Sequence, residues 1–167
     1  MTPSSLAAHA AAVGLRMWIR LYPAGSPLRD VAQARYVAEV VRRVTHRYAI
    51  QVEAPVPRPG DHRAADLLLT RGDDRIVVEV VTRLTDLQGQ LRAMKLKARD
   101  LEATRLICVV ADTHANARVL REARPLIGAM VDLDSRRVLA ELAAGRDPGR
   151  DAVVTLRLRP ADGHRGT

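Results

Sequence analysis

Two carboxylates in apolar surroundings are the residues best placed to do chemistry. Asp66 and Glu79 lie in short apolar runs on either side of Gly72-Asp73. If Gly72-Asp73 is the two-residue turn of a β-hairpin, Arg71 faces Asp74 and the same register sets Asp66 opposite Glu79. Like charges roughly 5 Å apart at Cβ are unfavourable unless a cation, a metal or a shared proton compensates them. The pattern therefore predicts a binding site at this pair.

The hairpin must turn both acids towards one face. Side chains alternate across a strand, so one face is predicted to be entirely core: Ala65, Leu67, Leu69, Ile76, Val78 and Val80. The other face carries Ala64, Asp66, Leu68, Val77, Glu79 and Val81. A structural alternative remains open, in which Arg63 or Arg83 neutralises the acid pair.

Composition favours one domain with an aliphatic core. With 167 residues and 47% hydrophobic content, residues 1–159 are predicted to fold as a single domain and residues 160–167 to be a disordered tail. Aromatic content is 2% with no Phe, which argues against single-strand binding by base stacking. Cys108 is the only cysteine, which excludes an intramolecular disulfide and a cysteine-based zinc cluster.

The charge favours an anionic partner. The net charge is +8, and most of the excess comes from residues 1–60. Trp18, between Arg16 and Arg20 on a predicted strand, is a candidate contact with nucleic acid or a partner subunit. No leader-like segment or membrane-length apolar run is present, so we expect a cytoplasmic protein without a membrane partner.

Periodicity and turn residues predict an α/β domain, with a mixed central sheet flanked by helices. The first helix is expected after Ser26, and the next is expected to be capped by Thr85. A third helix, capped by Asp112 or Thr113, is predicted to stop by Pro125. The full set is helices over about 4–14, 27–47, 86–101, 114–124 and up to 145, and strands over 15–21, 48–54, 64–71, 74–81, 105–111 and 152–158.

The order helix, three strands, helix, strand over residues 27–111, with Asp on the second strand and Glu on the third, resembles the PD-(D/E)XK restriction-endonuclease-like core (αβββαβ). The segments RLYPAGSPLRD, PRPGDHRAADLLL, VVEVVTRLTDLQ and VVADTHANARVL resemble more closely the domain that follows a DNA-binding helix-turn-helix in bacterial Xre-like regulators. The residues before Ser26 leave no room for that motif. We therefore expect either a standalone version or an excised domain.

The resemblance implies that Asp66 and Glu79 bind Mg²⁺ or Mn²⁺. Its lysine, two residues beyond the glutamate, is Val81 here, and an aliphatic side chain can neither stabilise developing charge nor steer a proton. Lys95 and Arg83 are the predicted replacements. The family often places another acid on its first helix, where Glu39 lies, but ion pairing with nearby arginines explains Glu39 more simply.

The helix after the hairpin carries a basic flank, made of Gln88, Arg92, Lys95 and Arg99 at spacings of four, three and four. It is either a nucleic-acid contact or a solvated stripe. Gln90 and Lys97 lie on the opposite flank and rank behind these residues. His62 and His114 are expected in solvent, and Asn116 is expected to be a capping residue.

Three functions follow from these observations. The first is a degenerate nuclease-fold module that binds DNA or a partner in a regulatory or defence role. The second is an active Mg²⁺- or Mn²⁺-dependent nuclease that uses Asp66, Glu79 and a displaced cation, Lys95 or Arg83. The third is an oligomerisation or ligand-sensing domain, as a homodimer or beside a separate DNA-binding subunit.

Overall fold

The computed structural model describes residues 27–44, 46–131 and 134–158. The predicted helix over 4–14, the strand containing Trp18, the cap Ser26 and the tail from Pro160 lie outside these residues.

A five-stranded mixed sheet forms the centre of the fold, in the order β1-β2-β3-β4-β5. Strands β1 to β3 are antiparallel neighbours, whereas β4 runs parallel to β3 and β5 parallel to β4. The strands are β1 (Ala49–Pro55), β2 (Ala64–Arg71), β3 (Asp74–Val81), β4 (Arg105–Ala111) and β5 (Ala152–Leu156). The described helices are α1 (Pro27–Arg43), α2 (Leu87–Asp100), α3 (His114–Val131) and α4 (Ser135–Ala143). The predicted α/β class is confirmed.

Helices cover both faces of the sheet, because alternate strand residues point to opposite faces and form two separate apolar layers. On one face α2 and α3 pack over Leu68, Val77, Leu106 and Cys108. On the other, α1 and α4 pack over Leu67, Leu69, Ile76 and Ile107. Strand β4 is buried on both sides, as its unbroken apolar run predicts.

The hairpin register is confirmed, since Arg71 pairs with Asp74. Gly72 has a φ of +56°, which glycine adopts without strain. Regular pairing between β2 and β3 extends to Leu67 and Val78 and stops one step before the two acids. Ala65 packs in the layer of Leu68 rather than with Leu67, so the predicted alternation also fails at this end.

Three predicted helix boundaries are wrong. Helix α1 ends at Arg43, because the chain turns to bury Tyr48, whose hydroxyl donates to the Arg146 carbonyl at 3.1 Å. The N-cap of α2 is Asp86 rather than Thr85, and its carboxylate accepts the Gly89 amide at 3.0 Å. Helix α3 continues through Pro125 to Val131. The lost amide donor is tolerated there because Ile127 and Met130, in the next turn, pack onto the core.

The prediction that Asn116 is a capping residue is wrong, because its side chain is buried and links two segments of the chain. Its side chain accepts the Leu84 amide at 2.9 Å and donates to the carbonyls of Thr82 at 3.1 Å and Ala111 at 2.9 Å. The cap of α3 is Thr113, whose hydroxyl accepts the Asn116 amide at 3.2 Å. Asn116 therefore fixes the loop that leaves β3 against the end of β4.

None of the helices in the described ranges has the length and apolar character needed to cross a bilayer.

Candidate functional site

The site begins where β2 and β3 separate. In an unbroken ladder the amide of Val80 would face Ala65, but it donates instead to Oδ2 of Asp66 at 2.7 Å. The Asp66 side chain thus replaces a backbone acceptor. This bond holds Asp66 beside the β3 segment that carries Glu79.

Helix α1 contributes Gln33, which the sequence analysis missed. Its Nε2 donates to Oδ1 of Asp66 at 2.8 Å. Gln33 lies one helical turn before Val37 and two turns before Val40, in line with the apolar stripe of α1. A polar residue in register with a buried stripe was the available signal.

Helix α2 contributes the cation, and that cation is Lys97. Its Nζ lies 2.5 Å from Oε1 of Glu79 and donates to the carbonyl of Ala64 at 3.1 Å. Both side chains are largely buried, with 17% of Lys97 and 5% of Glu79 exposed. The structure therefore places a lysine from a helix against the glutamate, where Val81 supplies no charge.

The predicted replacements lie elsewhere. Lys95 is exposed on a different side of α2, and Arg83 is exposed in the loop after β3. The expectation of Lys95 or Arg83 beside the acids is corrected to Lys97, because Lys97 follows Met94 by one turn and so borders the buried face of α2. Arg63 does not neutralise the acid pair either.

Arg63 belongs to a separate network that anchors the loop before β2. Its guanidinium lies 2.6 Å from Asp61 and 2.6 Å from Asp100. These bonds tie the proline-rich loop to the end of α2. They leave Lys97 as the cation that contacts Glu79 within the described residues.

Burial dominates the electrostatics of both acids. The pKa of Glu79 is raised to about 7, chiefly by burial, with Lys97 opposing the shift and Asp66 adding to it. Burial also raises the pKa of Asp66, opposed by the Val80 amide, Lys97 and Gln33. Each acid thus feels the same lysine, and the charge of Asp66 acts on Glu79. Asp66 and Glu79 therefore lie close enough to influence each other, and Lys97 contacts Glu79.

The neighbouring thiol is inert. Cys108 pairs with Glu79 across β3 and β4 and is fully buried. Burial, with both carboxylates adding to it, raises the pKa of Cys108 to about 12. It therefore stays a thiol at neutral pH and packs as an apolar residue.

Asp66 and Glu79 are the side chains of this site that could hold a hard divalent cation. Oε1 of Glu79 is buried and, apart from its ion pair, has no hydrogen bond of suitable geometry within the described residues. No group of three or more acidic, histidine or cysteine ligands occurs in those ranges. Mg²⁺ is commonly bound by one or two carboxylates with waters and substrate phosphates completing its shell. Asp66 and Glu79 meet that minimum.

A groove between α1 and β1 leads from the surface to Asp66. Its volume is about 610 Å³, and Gln33, Val37, Val52 and Glu53 lie along it. Glu53 lies between two β1 residues that pair with β2 but is itself unpaired in the register, and it has a φ of +51°. Asp66 is thus partly buried but reachable from one side.

The predicted nucleic-acid stripe is not part of this site. Gln88, Arg92, Lys95 and Arg99 line a second groove, which lies between α2 and α3. At 100° per residue they lie on the opposite flank of α2 from Lys97. The structure therefore separates the basic stripe from the acid pair.

The remaining ionisable candidates are structural or solvated. Glu39 pairs with Arg42 at 2.8 Å and Arg43 at 2.7 Å, and hydrogen bonding to these arginines lowers the pKa of Glu39 to about 2. His62 and His114 are exposed, as predicted. Asp66, Glu79, Lys97 and Gln33 therefore make up the candidate site.

Comparison with protein-family models, with curated proteins and with solved structures gives no match for this chain.

Proposed function

We propose that the chain is a Mg²⁺- or Mn²⁺-dependent nuclease of the PD-(D/E)XK type. In this proposal Lys97 supplies the lysine ammonium that the usual position on the strand, Val81 here, does not provide. The observation that carries this proposal is the 2.5 Å contact between Lys97 Nζ and Glu79 Oε1. The aliphatic Val81 provides no positive charge on the strand. Lys97 on α2 provides that charge beside Glu79 instead.

The topology supports the proposal. The order α1-β1-β2-β3-α2-β4, with an antiparallel hairpin followed by a strand parallel to β3, is the order of the restriction-endonuclease-like core. Asp66 and Glu79 lie on the second and third strands, as that core requires. Gln33 reaches Asp66 from the first helix, where the family often places a further acid.

Each side chain has a definable task. Asp66 and Glu79 would hold the cation, and a bound divalent cation polarises a phosphodiester and lowers the pKa of a metal-bound water. Lys97 keeps the buried Glu79 compatible with its charged form. Its ammonium, which donates to the carbonyl of Ala64, would also stabilise negative charge that develops on phosphate oxygens.

The expected substrate is a nucleic acid read through its backbone. With an aromatic content of 2%, stacking on unpaired bases is a weak source of affinity. The net charge of +8 favours phosphate contacts instead, which weaken steeply as salt rises. Duplex DNA fits these properties best.

The test is cleavage of plasmid, linear duplex DNA, single-stranded DNA and RNA in Mg²⁺ or Mn²⁺. We expect the native chain to cut duplex DNA and Asp66→Ala to be inactive. Asp73→Ala, which removes an exposed turn carboxylate on the same hairpin, is the matched control and should cut normally. Absence of cleavage in both metals, or unchanged cleavage by Asp66→Ala, contradicts the proposal.

One observation favours a second candidate, the degenerate nuclease fold that binds DNA without cutting it. Both oxygens of Asp66 already accept hydrogen bonds, from Gln33 and Val80, and Oε1 of Glu79 is paired with Lys97. A site closed in this way can be a stable polar core. Salt-dependent DNA binding without cleavage would support it, and little affinity for DNA would favour a protein partner.

A further inference from the structure

The groove between α2 and α3 is a second surface, separate from the acid pair. We call it the α2–α3 groove and define it by Arg92, Lys95 and Leu96 from α2 and Leu126, Ile127 and Met130 from α3. Its volume is about 730 Å³. Lys97 lies on the other flank of α2, so this groove can be occupied without touching the acids.

The floor of the groove is unusually apolar for an exposed surface. Leu126 is 67% exposed and Leu96 is 40% exposed. They are two of the four large hydrophobic side chains left exposed in the described part of the chain. A solvated helix face gains nothing from leucine, whereas a partner surface gains binding energy when it covers one.

The rim of the groove is cationic. Arg92 and Lys95 have no ion-pair partner within residues 27–44, 46–131 and 134–158, and Arg99 pairs only with its neighbour Asp100 at 2.8 Å. Apolar contacts in the middle and charges around them are the usual arrangement of a protein interface. Within the described residues, Arg92 and Lys95 on this rim have no acidic partner.

We propose that the α2–α3 groove docks an acidic amphipathic helix of another protein. A groove lined by side chains of two helices, with apolar residues between cationic ones, accepts a helix that presents anchors at spacings of three and four residues. Leu96, Leu126 and Met130 contact those anchors. Arg92, Lys95 and Arg99 pair with acidic residues beside them, which sets the orientation of the bound helix and speeds its association.

The charge of this chain makes its own segments and a second copy poor occupants. Every described helix carries more basic than acidic residues. Residues 1–26 contain no acidic residue, and residues 159–167 contain one. A basic segment placed on a basic rim is repelled.

Duplex DNA is also a poorer fit than an acidic helix. Phosphate binding uses the arginines and the lysine but leaves Leu126 without a role. Binding of an acidic amphipathic helix therefore requires that the apolar floor and the cationic rim both contribute. It does not depend on nuclease activity.

The test uses two labelled helical peptides of about 18 residues and fluorescence anisotropy with the full chain. One peptide presents leucines at spacings of three and four with glutamates on the flanks, and the other has the same composition with the leucines scrambled. We expect only the first to bind. Leu126→Gln and Lys95→Glu should each weaken its binding by about tenfold.

Arg118→Glu is the matched charge-reversal control, since Arg118 is exposed on α3 outside the groove. It should change binding by less than about twofold. Failure of the acidic amphipathic peptide to bind, or equal binding by Leu126→Gln, overturns the proposal. So does a duplex DNA that competes with the peptide and whose own affinity falls with Lys95→Glu but not with Leu126→Gln. Circular dichroism checks that each variant is folded.

Discussion

Lys97 and Glu79 form an ion pair of 2.5 Å between a helix and the strand that precedes it. The lysine of the PD-(D/E)XK pattern would come from the strand itself, two residues after the glutamate. Here the strand position is aliphatic, and the helix that packs over it provides the charge. The pair therefore joins the stability of the sheet to the chemistry proposed for it.

If the proposed nuclease activity is correct, replacement of Lys97 by methionine should lower metal-dependent DNA cleavage by at least about a hundredfold, because it removes the ammonium proposed to stabilise developing charge. Lys95→Met is the matched control, since it removes the same charge from the other flank of α2. It should keep cleavage within about threefold of the native rate. Single-turnover cleavage in Mg²⁺ measures both. Equal losses in the two variants would show that Lys97 has no special role.

The Lys97 and Glu79 side chains should be strongly coupled in stability. Removing one partner leaves a buried charge without compensation, so Lys97→Met or Glu79→Gln alone should cost about 3 kcal/mol in the free energy of unfolding at pH 8. The double variant should cost about 2 kcal/mol less than the sum of the two. Urea denaturation of the four proteins measures this coupling. Simple additivity would mean that the ion pair contributes nothing.

The stability of the protein should fall as pH rises from 4.5 to about 7. The pKa of Glu79 is raised from 4.5 to about 7, so across this window the folded protein keeps a proton that the unfolded chain has released. The stabilisation is complete below pH 4.5 and is lost above about pH 7, and it amounts to about 3 kcal/mol. The raised pKa of Asp66 acts in the same direction.

Urea denaturation at several pH values tests this dependence, with Glu79→Gln as the comparison. The variant has no titrating group at this position, so its free energy of unfolding should change less over the same window. A native protein whose stability rises between pH 5 and 7 would contradict the burial effect on Glu79.

Gln33→Glu should lower the stability of the metal-free protein and raise its affinity for a metal ion. A third carboxylate beside Asp66 adds repulsion, so the thermal midpoint in EDTA should fall, and Mn²⁺ should raise it by more than in the native chain. Gln88→Glu, on the exposed flank of α2, is the matched control and should respond to Mn²⁺ as the native chain does. Differential scanning fluorimetry with and without Mn²⁺ measures the shifts. Equal shifts in all three proteins would place any metal away from Gln33.

Asn116→Ala should destabilise the fold by about 3 kcal/mol, because it removes three hydrogen bonds and leaves the buried Leu84 amide without its acceptor. The cap variant Thr113→Ala removes one partly buried bond and should cost about 1 kcal/mol. Denaturant unfolding compares the two. If both variants lose the same small amount of unfolding free energy, the three hydrogen bonds of Asn116 do not stabilise the loop after β3.

Much of the fold follows from local patterns, because hairpin register and buried strands depend on nearby residues. The Arg71 and Asp74 pairing and the doubly buried β4 are of this kind. Pro125 was misleading, because tertiary packing in the turn that follows it outweighs one lost hydrogen bond. The predicted N-cap of α2, Thr85, is one residue from the observed cap, Asp86, since both residue types are good caps.

The site was only half predictable, for a geometric reason. Hairpin register alone could place Asp66 and Glu79 at the same end of the hairpin, although regular pairing stops one step before them. Gln33 and Lys97 reach them from helices, and a helical wheel shows which flank a side chain occupies without showing which strand end that flank covers. Long side chains add to this difficulty, since lysine can extend around a helix to reach a buried partner.

The left-handed backbone of Glu53 affects how the sheet ends. Strand β1 is at the outer end of the described sheet, and its residues Val52 and Ala54 pair normally with β2 while Glu53, between them, has a φ of +51°. An incoming strand could not form an unbroken series of hydrogen bonds along that edge. The same residue that borders the groove to Asp66 thus makes the edge a poor template for aggregation.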